Sequence, residues 1–197
     1  APSQLGVFTK SDPSVETPAL QYHVQPLSLT KFGEPLDPFP AFTASVCNVR
    51  PLSRGHVRIA SANANAKPLI APNYLSTDED RAIAAQAIRK TREIVAQPAL
   101  AKFKPEEFRP GPGFQSEEEL IRAAGDVGTT IFHPVGTAKM GIETDPMAVV
   151  DAECKVYGLD GLRVVDASVM PTITSGNTNS PTIMIAEKIA TSMAASR

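Results

Sequence analysis

The sequence predicts an α+β protein, in which an antiparallel sheet with flanking helices is followed by a C-terminal strand–loop–helix segment. Several strand-like runs separated by turn-forming residues predict the sheet. Segments that combine capping signals with helical spacing of apolar residues predict the helices. The chain has 197 residues, of which 42% are hydrophobic and 20% are charged, as in ordinary globular proteins.

The sheet is expected in the first sixty residues. Residues 1–18 are polar and rich in proline, and they predict a loop. Residues 20–29 alternate in part between apolar and polar side chains, which predicts a strand broken at Pro26. Residues 42–50 and 56–60 are two further strand-like runs. Because the turn-forming interval PLSRG lies between them, they predict an antiparallel pair.

Two amphipathic helices are expected next. Thr77 and Asp80 have the spacing of a capping box, and the helix that they open extends to Ala96. One stripe of this helix carries the apolar residues Ile83, Ala84, Ala87, Ile88, Ile94 and Val95. Ser116 and Glu119 have capping-box spacing as well, and they predict the start of the second helix.

The last part of the chain has a different pattern. Residues 162–166, with the sequence LRVVD, predict a short buried strand. Ser180 as N-cap and Pro181 at the first helical position predict the start of the last helix. We therefore expect one domain over residues 1–130, containing the sheet and two helices, and a C-terminal segment over residues 131–197.

Composition excludes several classes of function. The formal net charge is −2 and the isoelectric point is near 6.0, so there is no electrostatic basis for binding nucleic acid. No apolar run approaches the roughly 20 residues of a transmembrane helix, and no signal segment opens the chain. Cys47 and Cys154 stand far apart, which favours two buried thiols in a reducing compartment over a disulfide. No cysteine or histidine cluster has metal-ligand spacing. We expect a cytoplasmic protein without a metal site.

One of the three histidines is a candidate for chemistry. His23 and His56 lie on strand-like runs and are interpreted as surface or packing residues. His133 follows the run TTIF and precedes Pro134, which restricts the backbone before it. Gly136 then permits a tight turn. A histidine held in this way suits acid–base catalysis, although an ordinary buried histidine before a proline fits the same local pattern.

A second candidate region lies downstream, where Asp166 follows the predicted strand and a loop of small polar residues leads into the last helix. A helix N-terminus presents unpaired N–H groups and the positive end of the helix dipole. It therefore favours an anion or an electron-rich carbonyl of a cofactor. The alternative is that Asn177, Asn179 and Ser180 only cap the helix.

Other catalytic templates are not matched. No G-x-G-x-x-G follows a strand, and there is no phosphate-binding P-loop. Ser168 lies near Asp166, but the sequence DASVM lacks the G-x-S-x-G turn of a hydrolase. A nucleophilic pair of Cys154 and His133 is conceivable, but nothing in the sequence orients it.

Longer motifs connect these candidates to a known family. FHPVGTAKMG, DPMAVVDAECKVYGLDGLRVVDASVMP and SGNTNSPTIMIAEKIA resemble, in this order, the C-terminal signature of the glucose–methanol–choline (GMC) flavin oxidoreductases. SRGHVRIAS and NYLSTDEDRAIAAQAIRKTREIVAQPAL are similar to the choline-dehydrogenase-like branch. The resemblance covers the chain from about Leu20 onward. It implies a partial substrate-binding domain over residues 1–130 and, over residues 131–197, a segment that completes the FAD domain.

The resemblance also implies roles for individual residues. His133 corresponds to the histidine that faces the flavin and acts as base toward the substrate hydroxyl. Asn177 corresponds to the second catalytic position, which is histidine or asparagine in this family. The positions expected to contact the flavin are Phe132, Asp166, Ala167, Asn179, Pro181 and Thr182.

The function that the resemblance implies is the oxidation of a primary alcohol, with choline as one candidate, to an aldehyde by hydride transfer to N5 of FAD. The family's N-terminal half, which carries G-x-G-x-x-G and most of the FAD site, is not in this sequence, so that half is the expected partner. Two alternatives stay open: a non-catalytic fragment without cofactor, and a hydroxynitrile lyase of the same family. The electron acceptor stays open as well, and a quinone acceptor would imply a location at the membrane periphery.

Overall fold

The computed structural model describes residues 3–30 and 33–195, and it divides the chain into two compact units. The first unit consists of Ala1–Ser53 and Leu75–Thr129, and the second of Arg54–Tyr74 and Thr130–Arg197. Residues 54–74, which the sequence predicts in the first domain, are part of the second unit. Their two strands pair with each other.

The first unit contains a three-stranded antiparallel sheet in the order β1–β2–β3. Its strands are β1 (Leu5–Thr9), β2 (Leu20–Gln25) and β3 (Thr43–Asn48). The predicted strands over residues 20–29 and 42–50 are thus confirmed as β2 and β3. The predicted loop over residues 1–18 is wrong at β1. The side chains of this strand are mostly exposed, so the sequence has no pattern of buried positions there that would indicate a strand. Residues 1–2 lie outside the described part.

Three helices follow the sheet: α1 (Asp78–Val95), α2 (Pro98–Ala101) and α3 (Glu117–Val127). Both predicted helices are confirmed. Thr77 caps α1 through its side chain, and Ser116 and Glu119 form a complete capping box at the start of α3. The predicted apolar stripe of α1 is confirmed at Ala87, which is buried, and at Ile83, which packs against the core. Ile94 is exposed, and Ala85, outside the predicted stripe, is fully buried.

The core of the first unit lies between the sheet and α1. Leu20, Tyr22 and Ala87 form a buried cluster. The Tyr22 hydroxyl lies 3.4 Å from the carbonyl oxygen of Ala87, to which it donates, and 3.1 Å from the Thr91 hydroxyl. A strand side chain therefore reaches across the core to the helix backbone.

A buried carboxylate connects the end of β3 to the first turn of α1. Asp80 is 4% exposed and accepts hydrogen bonds from the Asn48 amide (3.0 Å), the Leu52 N–H (3.1 Å), the Ser53 N–H (2.7 Å) and the Ser53 hydroxyl (2.5 Å). Such a carboxylate is stable inside a protein because its hydrogen bonds replace those with water.

This contact explains one wrong prediction. Residues 42–50 and 56–60 do not pair with each other: β3 pairs with β2, and β4 (His56–Arg58) pairs with β5 (Leu69–Ala71). The interval between β3 and β4 does not close a hairpin, because its N–H groups at Leu52 and Ser53 are bound to Asp80.

The second unit contains the β4–β5 pair, a short 3₁₀ helix (Ala167–Val169) and α4 (Asn179–Ala195). Its buried core consists of Val150, Cys154, Val169 and Ile189. The predicted buried strand over residues 162–166 is wrong. In the described structure, the β-pairing of these five residues is limited to an isolated bridge between Arg163 and Lys155. Val164 and Val165 nevertheless pack against the core. No described helix is long and apolar enough to cross a membrane.

We expect Asp80→Ala to lower the free energy of unfolding by about 2–3 kcal/mol, because two backbone N–H groups and two side chains lose a charged acceptor. Urea unfolding followed by circular dichroism measures the change. Asp78→Ala is the matched control, since the Asp78 side chain is 98% exposed in its ion pair with Arg81. It should cost less than about 1 kcal/mol. Equal losses would contradict the role given to Asp80.

The same carboxylate should make stability depend on pH. Burial alone would raise the pKa of Asp80, but its hydrogen bonds, led by those from Ser53 and Leu52, outweigh burial and lower the pKa below its usual value. A carboxyl group of this kind stabilises the fold above its unfolded pKa and loses that effect as the pH falls through the folded pKa.

The difference in unfolding free energy between the wild type and Asp80→Asn should therefore be complete near neutral pH and shrink below about pH 4. Urea titrations over a series of pH values measure it. A difference that stays constant into strong acid would show that ionisation of Asp80 does not contribute.

Candidate functional site

The histidine singled out in the sequence lies in a loop with an unusual backbone. His133 is half-buried, and the residue before it, Phe132, has a φ of 62°. This left-handed conformation is uncommon for a residue with a bulky side chain. The Phe132 N–H donates to the Thr130 hydroxyl over 3.0 Å, and Pro134 follows His133 directly. The backbone is therefore constrained on both sides of the imidazole.

The loop after His133 is held against the segment around the 3₁₀ helix by backbone hydrogen bonds. The Ala138 N–H donates to the carbonyl of Ser168 (3.1 Å), and the Met140 N–H donates to that of Val169 (2.9 Å). Gly136, with a φ of 83°, makes the turn into this ladder, and a Cβ placed there would lie 3.4 Å from the carbonyl oxygen of Met170. The ladder fixes the histidine loop to the segment that leads to α4.

Asp166 is used within this segment. Its carboxylate accepts hydrogen bonds from the Ser168 N–H (2.8 Å) and the Ser168 hydroxyl (2.5 Å), and so caps the 3₁₀ helix that begins at Ala167. The Ser168 carbonyl that accepts from the histidine loop is thereby fixed. Asp166 is therefore used to cap the 3₁₀ helix, and its predicted contact with flavin stays a prediction.

His133 and Asn177, which are 44 residues apart in sequence, meet in the structure. The Asn177 side-chain nitrogen, Nδ2, lies 3.4 Å from His133 Nε2. The amide nitrogen is a donor, and the role of Nε2 depends on the tautomer of the imidazole. The contact places the imidazole and the amide within hydrogen-bonding distance of each other.

The start of α4 lies immediately after Asn177. The helix begins at Asn179, and the carbonyl of Thr178 accepts both the Thr182 N–H (3.1 Å) and the Thr182 hydroxyl (2.7 Å). The prediction of Ser180 as N-cap is wrong, because a residue whose carbonyl accepts the first helical hydrogen bond stands at the cap, and that residue is Thr178. Ser180 lies in the first turn.

Three predicted cofactor contacts, Asn179, Pro181 and Thr182, therefore lie in the first turn of α4. Asn179 is exposed, whereas Pro181 and Thr182 are half-buried. The N–H groups of residues 179 and 180 precede the first intrahelical hydrogen bond, which Thr182 donates to Thr178, and the helix dipole makes this end positive. A proline in this turn supplies no N–H of its own. Phe132, another of the six predicted positions, is 64% exposed next to His133.

The sequence analysis missed an apolar groove of about 400 Å³ in the second unit. Its lining includes Met140, Met170, Met184, Ile185 and Ile189, with Cys154 among them. Burial, followed by the charge of Asp151, raises the pKa of the Cys154 thiol, so the thiol stays protonated near neutral pH. Nothing here supports a nucleophilic pair of Cys154 and His133.

Both cysteines carry free thiols, and Cys47 is half-buried rather than buried as predicted. The residues that sequence reasoning missed at the site are Thr130 and Met170. The signal for Thr130 was its position two residues before Phe132, where a threonine hydroxyl can accept from the backbone. No sequence pattern indicates the left-handed backbone at Phe132, which gives this contact its importance.

Comparisons with known proteins identify a family and relatives that this chain is similar to. A family model described as GMC oxidoreductase matches residues 51–186. The chain is 44% identical to oxygen-dependent choline dehydrogenase 1 from Chromohalobacter salexigens, over 93% of this chain and 33% of the relative. It is also 44% identical to the mitochondrial choline dehydrogenase of Mus musculus, over 95% of this chain and 31% of that protein. The chain thus spans about a third of the length of these relatives.

Solved structures match the fold. Pyridoxine 4-oxidase from Mesorbium loti superposes with a TM-score of 0.84 at 29% identity, over 95% of this chain and 37% of that one. A fungal aryl-alcohol oxidase superposes with a TM-score of 0.71 at 27% identity, over 88% of this chain and 27% of that one.

We expect Gly136→Ala to lower the free energy of unfolding by about 1–2 kcal/mol, because alanine is strained at a φ of 83°. Gly113→Ala is the control: no heavy atom of the described residues lies within 4 Å of a Cβ placed at Gly113. It should change stability by less than about 0.5 kcal/mol. Urea unfolding of both variants measures the difference, and an unaffected Gly136→Ala would contradict the geometry of the turn.

Proposed function

The chain belongs to the GMC oxidoreductase family, and we propose that it supplies the C-terminal third of an FAD-dependent enzyme that oxidises a primary alcohol to an aldehyde. The observation that carries this proposal is the 3.4 Å contact between His133 Nε2 and Asn177 Nδ2 at the start of α4. It joins a proton acceptor and an amide donor in one place. An alcohol oxygen can be deprotonated and held by such a pair.

The residues around this pair fit a flavin. The 17-residue helix α4 begins two residues after Asn177, and its positive end favours the electron-rich carbonyl groups of an isoalloxazine ring. The residues that would hold it are Asn179 and Thr182 in the first turn, Phe132 next to His133, and Ala167 at the start of the 3₁₀ helix. When bound, FAD would supply the acceptor for the hydride that leaves the carbinol carbon.

His133 takes the hydroxyl proton of the substrate at Nε2. A histidine side chain ordinarily titrates near pH 6.5, so much of it is neutral and basic near neutral pH. The constrained backbone at Phe132 and Pro134 leaves the imidazole few alternative positions, which reduces the entropy lost in reaching the reactive geometry.

Asn177 donates a hydrogen bond to the same substrate oxygen. Its amide carries no charge, so it steadies the oxygen as negative charge develops there without competing for the proton. Asp166 and Gly136 support this pair indirectly, because they hold the chain segments from which His133 and Asn177 project.

The substrate, partner and location belong to the same proposal. Choline is the alcohol that we propose first, because two relatives that match 93% and 95% of this chain are named choline dehydrogenases. The partner is the N-terminal FAD-binding part of the same polypeptide, and the location is the cytoplasm. A quinone acceptor would place the enzyme at the membrane periphery.

A chimera tests the function directly. Residues 1–197 replace the matching C-terminal third of the Chromohalobacter salexigens relative, and turnover of choline is measured in the purified protein, with bound flavin checked by its visible absorbance. We expect the chimera to bind FAD and turn over choline. His133→Ala in the chimera should lower kcat by about 100-fold or more, because the general base is lost.

His56→Ala is the control for this variant. His56 is an exposed histidine on β4 in the same unit, and its replacement should leave kcat unchanged. A chimera that holds FAD and keeps its kcat after His133→Ala would overturn the assigned base. A chimera that binds no FAD at all would favour the non-catalytic reading of the chain.

A further inference from the structure

We propose that Thr130 is a positioning residue for His133: its hydroxyl oxygen holds the Phe132 N–H, and with it the plane of the Ile131–Phe132 peptide bond, and so sets the direction in which the imidazole points toward Asn177. The contact between Thr130 and the loop that carries His133 does not depend on the proposed function. Its effect on catalysis rests on that function.

The contact that carries the inference lies two residues upstream of the imidazole. The Phe132 N–H donates to Thr130 Oγ1 over 3.0 Å. Threonine is branched at Cβ, so its side chain has few rotamers, and a half-buried threonine loses little freedom by keeping this one. A side-chain oxygen that accepts from the N–H two residues on closes a small ring in the same way as a backbone turn.

This hydrogen bond fixes the peptide plane that leads into an unfavourable backbone conformation. Phe132 has a φ of 62°, where the Cβ of an L-residue crowds its own backbone. Its ring is 64% exposed, so burial of the ring accounts for little of the energy that holds it there. The Thr130 hydroxyl holds the side of Phe132 that precedes this turn, because the Phe132 N–H lies in the plane of the Ile131–Phe132 peptide bond.

The Phe132 conformation determines where the imidazole lies. A rotation of the Ile131–Phe132 peptide plane at a fixed left-handed φ would turn the Cα–Cβ bond of His133 relative to the preceding chain. The downstream side could not follow, because Pro134 restricts the backbone and the Ala138 N–H is bound to the Ser168 carbonyl. A distance of 3.4 Å between Nε2 and Asn177 Nδ2 is near the upper limit for a hydrogen bond, so a small rotation would break the contact.

Thr130→Val and Thr130→Ser separate the hydroxyl from the shape of the side chain. Valine keeps the branched shape and removes the acceptor, whereas serine keeps the acceptor. In the chimera with choline as substrate, Thr130→Val should lower kcat by about 10- to 100-fold with KM changed by less than about threefold, because misplacement of the base affects the chemical step. Thr130→Ser should keep kcat within about threefold of the wild type.

Thr129→Val is the matched control, since Thr129 is the adjacent threonine, is exposed, and should leave kcat unchanged. A second readout does not depend on turnover. The chain has three histidines, so NMR of the 197-residue chain with ¹⁵N-labelled histidine can follow each ring. Thr130→Val should shift the His133 ring signals and leave those of His23 and His56 in place, and Thr130→Ser should restore them.

The outcomes distinguish this inference from the proposed function. If His133→Ala keeps full turnover, the proposed function fails, while the NMR comparison still decides whether Thr130 positions the ring. If His133→Ala is inactive and Thr130→Val matches Thr129→Val in both kcat and ring signals, the positioning role is wrong. Equal losses in the valine and serine variants would also overturn it, because the hydroxyl would then not be the group that matters.

Discussion

The arrangement of the second unit depends on a backbone ladder of two hydrogen bonds, in which the N–H groups of Ala138 and Met140 donate to the carbonyls of Ser168 and Val169. Val169 is also fully buried in the core of this unit. The ladder therefore joins the histidine loop to the best-packed part of the unit. Without it, the histidine loop would lose its direct backbone connection to the segment that leads to Asn177 and α4.

The site divides its polar side chains between structure and chemistry. Asp166 and Thr182 are bound to their own neighbours in the chain, to Ser168 and Thr178, and so shape the backbone. His133 and Asn177, which are 44 residues apart in sequence, instead contact each other. A base that is correctly placed before substrate arrives needs less reorganisation during the reaction, which is how rigid surroundings contribute to rate.

The sequence predicted those features that local interactions decide. The caps at Thr77 and Ser116 involve residues only three positions apart, and both helices are confirmed. The pairing of β3 was predicted wrongly because a buried carboxylate at Asp80, 27 residues after Ser53, directs the chain away from a hairpin. The meeting of His133 and Asn177 followed from the resemblance to a family rather than from spacing, since no periodicity links residues 44 apart. The left-handed backbone at Phe132 has no sequence pattern at all.

The β4–β5 pair has a practical consequence. Its strands have three residues each, Val57, Leu69 and Ile70 on them are exposed, and Ile59 just beyond β4 is 87% exposed. A short ladder with apolar side chains and open edges is a template for pairing with other chains. When the 197-residue chain is produced by itself, this hairpin favours self-association, and a fusion partner or charged substitutions at these positions would improve its solubility.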